Sequence, residues 1–93
     1  MADGDLQADP VSWLLIAAGW EVVDRDGGGI GRVEEVLADE QKDIFDGLAV
    51  ATRLLGRPRY VPAERVTTIV ERRVATDLAA DEAAGLRVYD PER

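Results

Sequence analysis

The chain has 93 residues, a net charge of −8 and neither cysteine nor histidine. That leaves room for one domain and excludes disulfides, thiolate metal sites, and the side chain most used as general base and metal ligand. Hydrophobic residues make up 46% of it, enough to build a core, so a folded domain is expected rather than disorder.

Taken in chain order, residues 1–11 read as a flexible acidic tail. Met1-Ala2-Asp3-Gly4-Asp5 is acidic where a secretory leader is basic. The apolar run at 11–18 is far shorter than the roughly 20 residues of a bilayer-spanning helix. No membrane insertion and a cytoplasmic location are therefore expected. Residues 12–18 are almost continuously apolar, which predicts a strand covered on both faces. Trp20-Glu21-Val22-Val23 alternates and predicts the next strand. The Asp- and Gly-rich segment 24–29 predicts a tight hairpin turn, with glycine supplying positive φ. A return strand is expected over 30–38. Val33 keeps the alternation, and Val36 falls out of phase across Glu34-Glu35, which predicts a β-bulge.

A polar turn at 39–43 leads to a strand at Ile44–Thr52. The loop after it carries Leu54 and Leu55 framed by arginines. Arg59–Pro62 predicts a short strand, at an edge or ending at Pro62, which has no N–H to donate. Ala63–Arg65 reads as one helical turn. Val66–Val70 and 74–78 are expected to pair across Glu71-Arg72-Arg73. Residues 79–86 suggest a short helical turn, and 81–93 a C-terminal turn and tail. Six short strands with turn signals every 8–12 residues predict an all-β fold with little helix. The expected form is a small, strongly bent antiparallel β-barrel over residues 12–80.

At these residues the sequence resembles the PRC-barrel family. The matching pattern is a strand, Asp-Gly, then Gly31-Arg32-Val33-Glu34-Glu35-Val36, an acidic turn and a strand. Tyr60-Val61-Pro62-Ala63-Glu64-Arg65-Val66-Thr67-Thr68-Ile69 follows, and then a final strand with Val74 and Leu78. The resemblance covers roughly residues 12–80 and implies a non-catalytic β-barrel that binds proteins or itself. The family includes the cytoplasmic domain of the photosynthetic reaction-centre H subunit and the C-terminal domain of a maturation factor for the small ribosomal subunit. The present sequence carries neither the membrane helix of the one nor the RNA-associated domain of the other, so neither role is carried over.

Candidate chemistry is sparse. Asp24-x-Asp26-x-Gly28, with Glu35 eleven residues after Asp24, superficially matches a calcium loop. Gly28 stands where a side-chain oxygen is needed, and the flanks read as strands rather than helices. The glycine run lacks the Lys-Ser/Thr and the helix of a phosphate loop. Ser12 is the only serine and has no histidine to activate it. Adjacent carboxylates such as Glu34-Glu35 point to opposite faces of a strand. No catalytic, metal-binding or cofactor-binding residue is therefore expected, and no cofactor. Asp24, Asp26, Gly27, Gly28, Gly29 and Gly31 are assigned to the structural turn.

The charge is uneven along the chain. Residues 1–46 hold 12 acids and 3 bases, a balance of −9, and residues 47–93 hold 7 acids and 8 bases, a balance of +1. Nucleic acid, which needs clustered Lys and Arg, is an unfavoured partner. Trp13, Leu15, Leu54, Leu55, Arg57, Arg59 and Tyr60 form the candidate interface, since Trp, Tyr and Arg dominate interface hot spots. The expected function is a non-enzymatic adaptor that self-associates, as a dimer, through an apolar surface. The alternatives are an acidic docking module for a basic protein, such as a ribosomal protein, and a barrel that binds a small ligand.

Overall fold

Alternation of apolar and polar residues sets the strands, and Gly, Asp and Pro set their ends. The computed structural model describes residues 11–39, 41–52 and 56–90. Six strands form one sheet: β1 (Glu21–Val23), β2 (Gly29–Asp39), β3 (Ile44–Thr52), β4 (Arg59–Pro62), β5 (Val66–Val70) and β6 (Arg73–Thr76). Short 3-10 turns occupy Trp13–Leu15 and Ala63–Arg65, and a five-residue helix, α1, spans Ala80–Ala84. The spatial order is β4-β3-β2-β1-β6-β5.

The all-β expectation holds, and β3, β4, β5 and the turn at Ala63–Arg65 fall where the sequence places them. Two features of the expected architecture are corrected. The sheet is not closed by hydrogen bonds, since its outer strands β4 and β5 do not pair. It is also not wholly antiparallel. β1 runs parallel to β6, with Val22 opposite Val74, because the chain leaves β1 through the β2–β3–β4 meander and returns to its other side.

The expected bulge in β2 is present. The register with β3 shifts between Val33 and Glu35, which brings Val36 back into phase opposite Leu48. Further along, Gly47 faces Leu37 and Pro62.

The core cluster consists of Ile16, Val22, Ile30, Val33, Leu48, Val50, Val61, Val74 and Leu78, with Trp13, Trp20, Val36, Phe45 and Ile69 packed against it. Burial of each aliphatic side chain is worth roughly 1.5–3 kcal/mol. Thr76 is buried without loss, because its hydroxyl donates to the Val23 carbonyl at 2.9 Å and accepts the Leu78 N–H at 3.2 Å. This bond fastens β6 to β1.

Segment 12–18 is not a strand. Ser12 caps a 3-10 turn, its Oγ accepting the Leu14 N–H at 3.1 Å. A short hydroxyl side chain that satisfies an orphan amide in this way competes with strand formation. Only Ile16 of this segment is buried, so an apolar run that reads as two covered faces in fact presents one anchor and an exposed side. Gly29 and Gly31 are likewise not turn residues but part of β2.

The C-terminal segment lies along β4. Tyr60 N–H donates to the Arg87 carbonyl and Tyr89 N–H to the Pro58 carbonyl, both at 2.8 Å, and Val88 bridges antiparallel to Arg59. The edge of β4 is thus covered by residues 87–89. Among the described residues no helix is long and apolar enough to cross a membrane.

Candidate functional site

The turn at 24–28 is built by one carboxylate. Asp24 Oδ1 accepts the N–H of Asp26 at 2.9 Å and of Gly28 at 2.8 Å. The Asp24 N–H donates to the Gly28 carbonyl at 2.8 Å. Gly27 carries the positive φ, 87°. A Cβ on Gly28 would stand 2.8 Å from Asp24 Oδ2. Gly31 serves a different need, because a Cβ there would meet the Ala51 carbonyl of β3. Asp24 is a buried loop organiser, and its chemistry here is hydrogen bonding to backbone amides. Among the described residues no three carboxylates gather in a way that would hold a metal ion.

The two halves of the sequence-derived interface are placed on different elements. Arg59 and Tyr60 hold the C-terminal segment. Arg59 Nη1 donates to the Leu86 carbonyl at 2.7 Å, and the Arg87 guanidinium lies 5.9 Å from the centre of the Tyr60 ring. The Tyr60 hydroxyl donates to the Asp46 carbonyl at 3.1 Å. Arg57 is exposed at the bend before β4, and Leu54 and Leu55 fall outside the described residues. Burial pushes the Tyr89 hydroxyl pKa up, helped by the negative charges of Glu35 and Asp90.

Trp13 and Leu15 occupy the 3-10 turn beside the start of β3. The Trp13 ring stacks on Phe45 with centroids 5.5 Å apart and planes within 9°. That stack pins the turn to the sheet, and Ile16 closes the core behind it. The two leucines between these anchors point away, and Leu14 and Leu15 are each 59% exposed. Ile44, next to Phe45, is also exposed. Asp43 and Asp46 flank this Ile44-Phe45 pair in sequence, and Asp39 pairs with Ile44 across the hairpin. The result is an exposed leucine pair on a turn anchored by Trp13 and Ile16, near an acidic hairpin tip.

Leu14 and Ile44 were not singled out by sequence. An apolar side chain in a run of apolar residues carries no mark of exposure, and only the Ser12 cap hints at a turn. A third feature, also missed, sits at α1. Arg65 bonds Asp77 at 2.6 Å and Glu82 at 3.1 Å, and Glu82 also accepts the Ala79 N–H at 2.9 Å. A small open cleft of about 230 Å³ between α1 and the sheet is lined by Asp24, Ile30, Thr52, Arg59 and Ala83.

No curated protein matches the chain. The model of the PRC-barrel domain matches residues 18–83, from Ala18 before β1 to Ala83 near the end of α1. The exposed turn at Trp13–Leu15 precedes that span. Six strands in this order, the Asp-Gly turn and the Val-Pro-Ala entry to β5 all lie within the matched residues, and the chain belongs to the PRC-barrel domain family.

Proposed function

We propose that the protein is a non-catalytic interaction module that self-associates through the apolar turn at Trp13–Leu15. PRC-barrel domains act as protein-interaction modules, and the reading extends that role to this chain. One observation carries it: Leu14 and Leu15 are held outward, side by side, on a turn that is itself anchored at both ends. Flexible exposed leucines are common, whereas a pinned pair loses little further entropy on docking. Burying each leucine is worth roughly 1.5–3 kcal/mol, and a two-fold contact gains this from both copies.

The association is apolar in origin and therefore persists at high salt, where the acidic rim is screened. Sedimentation equilibrium at tens of micromolar is expected to give a mass above the 10.1 kDa of one chain, and Leu15→Asp is expected to lower it to the monomer value. A wild-type monomer under those conditions refutes the reading. It would shift weight to a basic protein partner docking on the same acid-rimmed turn.

A further inference from the structure

The cleft between α1 and the sheet gathers polar groups that the fold itself leaves unused. Its volume is about 230 Å³, and Asp24, Ile30, Thr52, Arg59, Ala80 and Ala83 border it. Thr52 ends β3, and its hydroxyl oxygen is buried with no hydrogen-bond partner among the described residues. A buried hydroxyl in that state costs stability that a valine of the same shape would not. Asp24 is 9% exposed. Its Oδ1 accepts the N–H groups of Asp26 and Gly28, whereas no described group bonds Oδ2. Arg59 is half-buried and uses one N–H, on the Leu86 carbonyl at 2.7 Å. Its other side-chain N–H groups meet no partner among the described residues.

Asp24 and Arg59 carry opposite charges on one cleft yet form no ion pair with each other. A carboxylate oxygen, a guanidinium with free donors and an orphan hydroxyl thus border a space walled by Ile30, Ala80 and Ala83. An apolar wall with a few placed polar groups is the usual make-up of a small-molecule site. The charges are selective. A guanidinium fits a carboxylate, and Asp24 Oδ2 fits an ammonium. A simple anion would gain Arg59 but face the charge of Asp24, and a simple amine the reverse, so the matching ligand carries both charges. A cavity of about 150 Å³ holds benzene, so this cleft has room for roughly nine heavy atoms, the size of leucine.

We propose that this cleft binds a free aliphatic amino acid, its carboxylate on Arg59, its ammonium on Asp24 Oδ2 and its side chain against Ile30 and Ala83. Thr52 completes the site, turning its hydroxyl to the carboxylate by a change of χ1 rotamer. The proposal goes beyond the contact at Trp13–Leu15, uses none of its residues and does not depend on association of copies.

Thermal melting reads the binding, because a ligand taken up only by the folded chain raises the midpoint. The probes are alanine, valine and leucine at millimolar concentration, with isopentylamine and isocaproate as leucine lacking one charge. Leucine or valine is expected to raise the midpoint by several degrees once in excess of its Kd. Each single-charge analogue is expected to bind at least roughly tenfold more weakly. Asp24→Asn keeps Oδ1 for the turn and puts an N–H donor in place of the free oxygen, and is expected to lose at least roughly tenfold in affinity. Thr52→Val is expected to melt at or above the wild type and yet to bind roughly fivefold more weakly. A purely structural role for Thr52 does not produce that opposition. No shift with any of the three amino acids, a shift matched by either analogue, or an unchanged affinity in Asp24→Asn overturns the proposal. If Asp24→Asn fails to fold, Thr52→Val decides, and an unchanged affinity there overturns it. Leu15→Asp is expected to bind the amino acid as the wild type does, so this site and the contact at Trp13–Leu15 stand or fall separately.

Discussion

Gly27, Gly28 and Gly31 are glycines for three separable reasons. Gly27 adopts a φ of 87° with nothing within 4 Å of a would-be Cβ, so only backbone strain opposes a side chain there. Gly27→Val is expected to cost about 1–2 kcal/mol in urea unfolding, the usual penalty of the left-handed region. Gly31→Ala is expected to cost more than Gly27→Ala, because its Cβ would meet backbone of β3 rather than open space and a carbonyl in a ladder cannot move aside. Equal midpoints for those two alanine variants would contradict the distinction. Arg72 also holds a positive φ, 72°, in the β5–β6 turn. Arg72→Gly removes that strain and is expected to raise the urea midpoint, provided the relief exceeds the extra chain entropy of glycine.

At the scale of elements, α1 is a five-residue helix that depends on tethers. A helix so short has little intrinsic stability, and Glu82 supplies two of its links, to the Ala79 N–H and to Arg65. The Ala79 N–H first, and the Arg65 guanidinium second, hold the Glu82 carboxyl below its ordinary pKa. A depressed folded-state value means that this stabilisation is complete above the unfolded-state pKa and is lost as pH falls through the folded one. Thermal melts in acid are therefore expected to fall less steeply for Glu82→Gln than for wild type, with Glu82→Gln the less stable of the two at neutral pH. Parallel pH profiles would contradict this role.

Elements were legible in the sequence where a local rule decided them. The phase slip between Val33 and Val36 marks the bulge, and Pro62 marks the end of β4, because each signal acts within a few residues. Ser12-Trp13-Leu14-Leu15-Ile16 was misleading. Its hydropathy is that of a buried strand, and its fate is set by the Ser12 cap and the distant Phe45 ring. Strand direction was equally hidden, since the parallel pairing of β1 with β6 joins residues some fifty positions apart. The interface residues followed the same divide. Composition drew attention to Arg59 and Tyr60, yet only the folded chain shows that their hydrogen bonds secure Leu86, Arg87 and Asp46.

The whole molecule measures 46 × 34 × 20 Å, with one face of its sheet lined by the core cluster. A domain of this size leaves a large share of its surface uncovered, and the pinned leucines add an apolar projection that the domain does not use for its own core. The central claim is that this projection is where two copies meet. Mapping amide shifts by two-dimensional NMR while the protein is diluted from several hundred to about ten micromolar, in high salt, tests it most directly. The account predicts shift changes concentrated at residues 12–16 and 44–46, absent in Leu15→Asp. Changes confined to other surfaces, or none over a range in which the mass does change, would contradict it.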